Sequence, residues 1–222
     1  MFITFKLKRY IAIAAAVAVS ATLMITLISC GRNEDIHTRI YRKYSNIDSF
    51  SAVVEVTVNT DRTENVYQMR QYYIAPDMFR EDVLSPENLE GMTYIFSGGT
   101  MLIIPPNDGE SVLFEDIPKN RSYTFLPDFF GRYFEIGTEA VPVSAEPTGE
   151  TAQVDETVTV LEVQLDGDNI YRATQKLWID NKTLMPIRLE TYDADGDPLV
   201  VVLFTEFNLN DNIDDEIFNL QR

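Results

Sequence analysis

The sequence predicts a mainly β fold of the α+β class: a strongly curved antiparallel sheet, or open half-barrel, with short helices closing one side. Three observations lead there. Apolar and polar residues alternate with a period of two over much of the chain beyond residue 50. Turn signals rich in Asp, Asn and Gly separate these runs at hairpin spacing. No strand–helix–strand alternation occurs, which argues against a parallel sheet.

The elements follow in order. Residues 34–45 read as a short amphipathic helix with Ile36, Ile40, Tyr41 and Tyr44 on one stripe. Glu34 and Asp35 suit its first turn, and Arg42 and Lys43 its end. Ala52, Val54, Val56 and Val58 then alternate with Val53, Glu55, Thr57 and Asn59, as in a strand with one face inward. Residues 63–75 form a second strand, with Tyr67, Met69, Gln71 and Tyr73 on one face, joined to the first through Asn59–Arg62. A third strand covers Met78 to Val83 and stops at Ser85-Pro86. Met92–Ser97 and Thr100–Ile104 are short strands joined by Gly98-Gly99, and Pro105-Pro106 ends the second of them. Ser111–Glu115 reads as a further strand. In residues 127–135, Phe129, Phe130, Tyr133 and Phe134 cluster as a short helix or aromatic lid requires. Residues 137–153 read as loop, with a flexible segment expected near 137–155. Four strands then form a meander over 156–165, 170–179, 184–192 and 197–207. Their turns are Asp166–Asn169, Asp180–Thr183 and Asp193–Gly196. The last strand is apolar on both faces over Leu199–Phe204, which implies cover on each side. The count is nine or ten strands and two short helices.

Ahead of this domain, Lys6, Lys8 and Arg9 precede an uncharged run over residues 10–29. A basic head followed by an apolar run is a secretory leader. Leu27-Ile28-Ser29-Cys30 has the form of a bacterial lipobox, and Cys30 is the only cysteine. That resemblance implies a covalent diacylglycerol on Cys30 and cleavage before it. Two acyl chains anchor far better than one. A transmembrane helix is the alternative for residues 10–29 by length, but the cysteine directly after the run favours the leader. The expected layout is a signal peptide over 1–29, a tether over 30–33 and a single domain over 34–222. The expected location is the cell membrane, lipid-anchored on the extracytoplasmic face. One cysteine permits no internal disulfide, so the fold stands on its core.

Composition narrows the function. The chain carries 18 Lys and Arg against 35 Asp and Glu, a formal net charge of −17. Such a surface repels phosphate backbones, so no nucleic-acid partner is expected, and any protein partner is expected to be basic, although the favoured explanation of the charge is that it keeps an exported protein soluble. Eleven Tyr and thirteen Phe exclude wholesale disorder.

No catalytic or metal constellation stands out. His37 is the only histidine and has no Cys or His neighbour, so no metal site is expected. Asp193, Asp195 and Asp197 around Gly196 invite a calcium reading, but the EF-hand register places Val202 where a Glu belongs. An Asp-Gly hairpin turn explains the same residues. Gly98-Gly99 is too short for a phosphate loop. The aromatic and Met content does suit an apolar cavity, lined by Met101, Ile103, Phe129, Phe130, Leu177 and Ile179. Ordinary core packing is the favoured explanation of those six residues.

The C-terminal pattern adds a family resemblance. Leu177-Trp178-Ile179-Asp180, Thr183, Pro186, Arg188, Glu190, Asp195-Gly196, Phe204, Phe207 and Ile217-Phe218 resemble the tail of the LolA-like lipoprotein-carrier superfamily. The opening helix followed by Ser45, Ser49-Phe50 and Ala52 resembles its start. Within it, the lipidated form and the middle rich in Ser, Tyr and acids are most similar to the germination lipoprotein GerS family of clostridial spore formers. The resemblance implies an open β-barrel without catalysis. It implies either an accessory protein supporting a cell-wall amidase that modifies spore cortex, or a module holding an acyl-chain ligand. A shuttling carrier is expected to be soluble, so the lipid anchor favours a tethered binder.

Overall fold

A computed structural model describes residues 34–60, 62–107, 109–117, 124–135, 157–165 and 172–220. The chain divides into two compact units, residues 1–35 and 36–222. The expected leader, the lipobox Leu27–Cys30, the tether, the loop near 137–155 and the Asp166–Asn169 turn lie outside the described residues.

Ten antiparallel strands form one sheet. They are β1 (Ser49–Asn59), β2 (Glu64–Ile74), β3 (Met78–Ser85), β4 (Thr93–Ser97), β5 (Thr100–Ile104), β6 (Val112–Phe114), β7 (Val158–Gln164), β8 (Thr174–Asp180), β9 (Pro186–Tyr192) and β10 (Pro198–Leu209). Their order is β6-β5-β4-β3-β2-β1-β10-β9-β8-β7, so the chain's two meanders meet where β1 pairs with β10. Strands β6 and β7 are the sheet's two edges among the described residues. Register shifts at Val53/Val54, Gln68/Met69, Trp178/Ile179 and Pro198/Val200 interrupt the ladder. Such bulges bend a strand and increase its twist, which curves the sheet. The expected curved, open antiparallel sheet is the architecture observed.

Among the described residues, two α-helices cover one face. Helix α1 (Ile36–Tyr44) starts two residues later than expected. Glu34 and Asp35 therefore precede the helix, and no acidic residue lies in its first turn. Its buried stripe is Ile40 and Tyr44, with Ile36 partly buried. Tyr41 is 56% exposed, a correction to the expected stripe. Helix α2 (Leu126–Glu135) buries Leu126, Phe129 and Phe130. Tyr44 and Phe130 stack at 4.3 Å between centroids, joining the helices. The inward residues Phe50, Ala52, Val54 and Val56 of β1 and Leu177 and Ile179 of β8 meet them in the main core.

The opposite face is covered more sparsely. A 3₁₀ helix (Asp215–Phe218) lays Phe218 against Ile95, Leu102 and Ile104, forming a second, smaller core. Asp214 caps that helix, its side chain accepting from the Glu216 N–H at 3.0 Å. The segment before it is held as well. Ser49 Oγ donates to the Asp211 carbonyl at 2.7 Å, and Ser51 Oγ to the Asp211 carboxylate at 2.5 Å.

The expected turns have visible causes. Gly98 and Gly99 both have positive φ, as a tight hairpin between β4 and β5 requires. Asp180 Oδ1 accepts from the Lys182 and Thr183 N–H groups and the Thr183 hydroxyl. Asp193 Oδ1 accepts from the N–H groups of Asp195 and Asp197. These carboxylates hold their own turns together.

Candidate functional site: two faces of one sheet

The six residues expected to line a cavity share one face of the sheet but fall in two places. Phe129 and Phe130 reach it from α2, and Leu177 and Ile179 from β8. All four are at most 2% exposed and pack within the main core. Met101 and Ile103 lie on the same face at the far end of the sheet. Met101 sits between Phe96 and Phe114, and Ile103 between Tyr94 and Val112. Both are partly buried, and Val112 and Phe114 beside them are 48% and 41% exposed. His37 lies on α1, with Nδ1 3.5 Å from the Tyr133 hydroxyl.

Polar groups interrupt this apolar face at three points. Gln71 is fully buried, and its Nε2 donates to Glu81 Oε1 at 2.8 Å. Thr124 donates to the same oxygen at 3.0 Å. Burial raises the Glu81 carboxyl above the usual range, partly offset by these two hydrogen bonds. Gln71 Oε1 is buried with no hydrogen-bond partner. Further along, Arg132 Nη1 donates to Gln175 Oε1 at 3.1 Å, and Gln175 Nε2 donates to Thr191 Oγ1 at 3.0 Å. Tyr44 donates to the Leu184 carbonyl at 2.6 Å, and burial pushes its phenol up.

The opposite face carries an open cleft of about 920 Å³. Cross-strand pairing places Arg80, Thr93, Ile95 and Ile104 on its floor. The segment after β3 supplies Glu87, Glu90 and Gly91, and the segment after β5 supplies Pro105 and Pro106. The 3₁₀ helix closes the third side with Glu216 and Ile217. Backbone bonds fix the first wall: Val83 N–H to the Met92 carbonyl at 2.8 Å, and Gly91 N–H to the Val83 carbonyl at 3.0 Å. Gly91 has φ +86°, a conformation that disfavours side chains. Arg80 is the only cation among the described residues that line the cleft, and it is engaged. Its Nε lies 2.9 Å from Asp82 Oδ1, and its Nη1 donates to the Ile217 carbonyl at 2.9 Å.

No local sequence signal marks this cleft, because its walls come from three segments far apart in the chain. Pro105-Pro106 and Ile217-Phe218 were legible only as a strand stop and a closing motif. The Gln71–Glu81 pair was equally hidden, since Gln71 occupies an inward strand position where an apolar residue is the rule.

The family described as "Sporulation protein YdcC-like" matches residues 8–218. Sporulation protein YdcC of Bacillus subtilis (strain 168) is 23% identical over 199 residues, covering 88% of this chain and 56% of that protein. The chain thus spans little more than half the length of that relative. Among solved structures, the complex of the CwlD amidase from Clostridioides difficile with the GerS lipoprotein matches at 24% identity and TM-score 0.45. That match covers 79% of this chain and 94% of the other. A LolA superfamily protein of Nitrosomonas europaea matches at 16% identity and TM-score 0.42, covering 82% of this chain and 96% of the other.

Proposed function

The chain belongs to the YdcC-like sporulation protein family, and from that premise we propose that it is a lipid-anchored, non-catalytic accessory protein that supports a cell-wall amidase during spore formation and germination. The observation that carries this is the family match across residues 8–218. It supports a role in sporulation. The anchor comes from Leu27-Ile28-Ser29-Cys30 after an uncharged run, with the diacylglycerol on Cys30. The amidase comes from the resemblance of the sequence to the GerS family. A binding role also accords with how polar side chains are used: buried Gln175 donates to buried Thr191, and Asp180 accepts from Thr183 and holds its own turn.

The test is removal of the gene. Spores lacking the protein are expected to show altered cortex composition and impaired germination. A Cys30→Ser form is expected to leave the membrane fraction and lose the same support. Normal cortex and normal germination without the gene would sink the proposal.

A further inference from the structure

We propose that the cleft between β3–β5 and the 3₁₀ helix docks an extended protein segment in which lysine or arginine side chains alternate with small aliphatic ones. Its acidic rim and aliphatic floor carry the inference together. Glu87, Glu90 and Glu216 are exposed on the rim and make no ion pair among the described residues. Arg80, the one cation lining the cleft among the described residues, is held by Asp82 and the Ile217 carbonyl, so the three carboxylates are left to face a ligand. Between them the floor is aliphatic: Ile95, Ile104, Pro105, Pro106 and Ile217.

The spread of charge decides the class of occupant. No three acidic, His or Cys side chains converge on a metal-sized point among the described residues. The carboxylates instead stand on separate walls, two on the segment after β3 and one on the 3₁₀ helix. A chain with cations at intervals meets all three, whereas a single ion does not. The walls are fixed by backbone bonds and by the Asp214 cap, so docking needs little reordering of the cleft. Complementary charge also speeds encounter with a basic partner. This deepens the accessory role by naming the face and chemistry of the partner, and it rests on that role only for the partner being a protein.

The experiment uses the full chain in detergent and a fluorescent synthetic peptide of alternating lysine and valine. Binding is expected, weaker in high salt and weaker when serine replaces the valines. The variant Glu87→Gln/Glu90→Gln/Glu216→Gln is expected to lose roughly tenfold or more in affinity. The reference variant Glu110→Gln/Glu115→Gln/Asp116→Asn loses as much formal charge from exposed positions beside β6 and is expected to bind normally. Equal losses in the two variants would mean attraction to diffuse net charge and would overturn the proposal, as would absence of binding by the unaltered chain. A strain carrying the cleft variant separates this from the accessory role. Normal spores from it, beside defective spores from the deletion strain, would overturn the cleft as the docking face and leave the accessory role standing.

Discussion

The two faces of the sheet are covered in different ways, and the difference separates what holds the fold from what is free to bind. Helices α1 and α2 seal one face. They bury Tyr44, Phe129 and Phe130 against β1, β8 and β9 in a continuous core. Among the described residues, the other face has no helix of that size at β2–β5 and only the 3₁₀ helix, which contributes Phe218 to a core of four buried residues and leaves a cleft beside it. A single-turn helix cannot cover a sheet that curves beneath it. Burial scales with the apolar area removed from water, so the first face dominates stability and the second carries the cleft proposed as the docking face.

Core truncation tests that contrast with the largest expected effect. Phe130 is 2% exposed, stacks on Tyr44, and lies 5.7 Å from Phe129 and 5.5 Å from Phe134 between centroids. Phe130→Ala is expected to cost about 3–5 kcal/mol of global stability, read by denaturant unfolding. Phe218→Ala should behave differently. It removes the one large buried side chain of the strap, worth about 2 kcal/mol in transferred area. Its effect is expected to be local: faster hydrogen exchange over residues 211–220 with little change in β1 and β10. If Phe218→Ala instead lowered the global transition as far as Phe130→Ala, the two cores would be one cooperative unit and the contrast would fail.

The same contrast marks how far the sequence could be read. The helix-covered face was legible because its signals are local. Alternation in β1 named Ala52, Val54 and Val56 as inward, and all three are buried. Val58, named with them, packs against that core partly buried. Gly98-Gly99 and Asp193–Gly196 fixed their hairpins through their own backbone chemistry. The helix stripe was less sharp. Tyr41 has the right residue type and nearly the right spacing, yet it lies at the edge of the buried sector, edge-on to Phe134 at 4.9 Å. The cleft was not legible at all. Glu87, Glu90 and Glu216 read singly as solvated charges, and only the strand order brings them around one floor. A short apolar segment such as Ile217-Phe218 carries no periodicity, so nothing in it announced a strap.

A half-buried carboxylate on the sealed face sharpens the comparison with the smallest effect. Asp128 lies in the first turn of α2, where the helix end favours negative charge. Burial wins over that position and pushes its pKa up to about 6, with Arg132 pulling it back in part. Tyr73 answers to the same surroundings. Burial pushes its phenol up to about 12, and Asp128, Asp77 and Asp48 add to the shift. The sign for Asp128 follows from linkage. A carboxyl whose folded pKa is raised binds its proton more tightly folded than unfolded, where 3.8 is the ordinary value. Its contribution is therefore most favourable below about pH 4 and is lost as pH rises toward 6 and beyond. Asp128→Asn keeps the shape and removes the charge. It is expected to raise the melting temperature at pH 7 by the equivalent of about 1 kcal/mol, discounted for the remaining solvent contact, and to leave it unchanged near pH 4. The measurement is thermal unfolding of both proteins across that range. A loss of stability at every pH would show instead that the carboxylate anchors the start of α2, and that the helix end outweighs burial at this site.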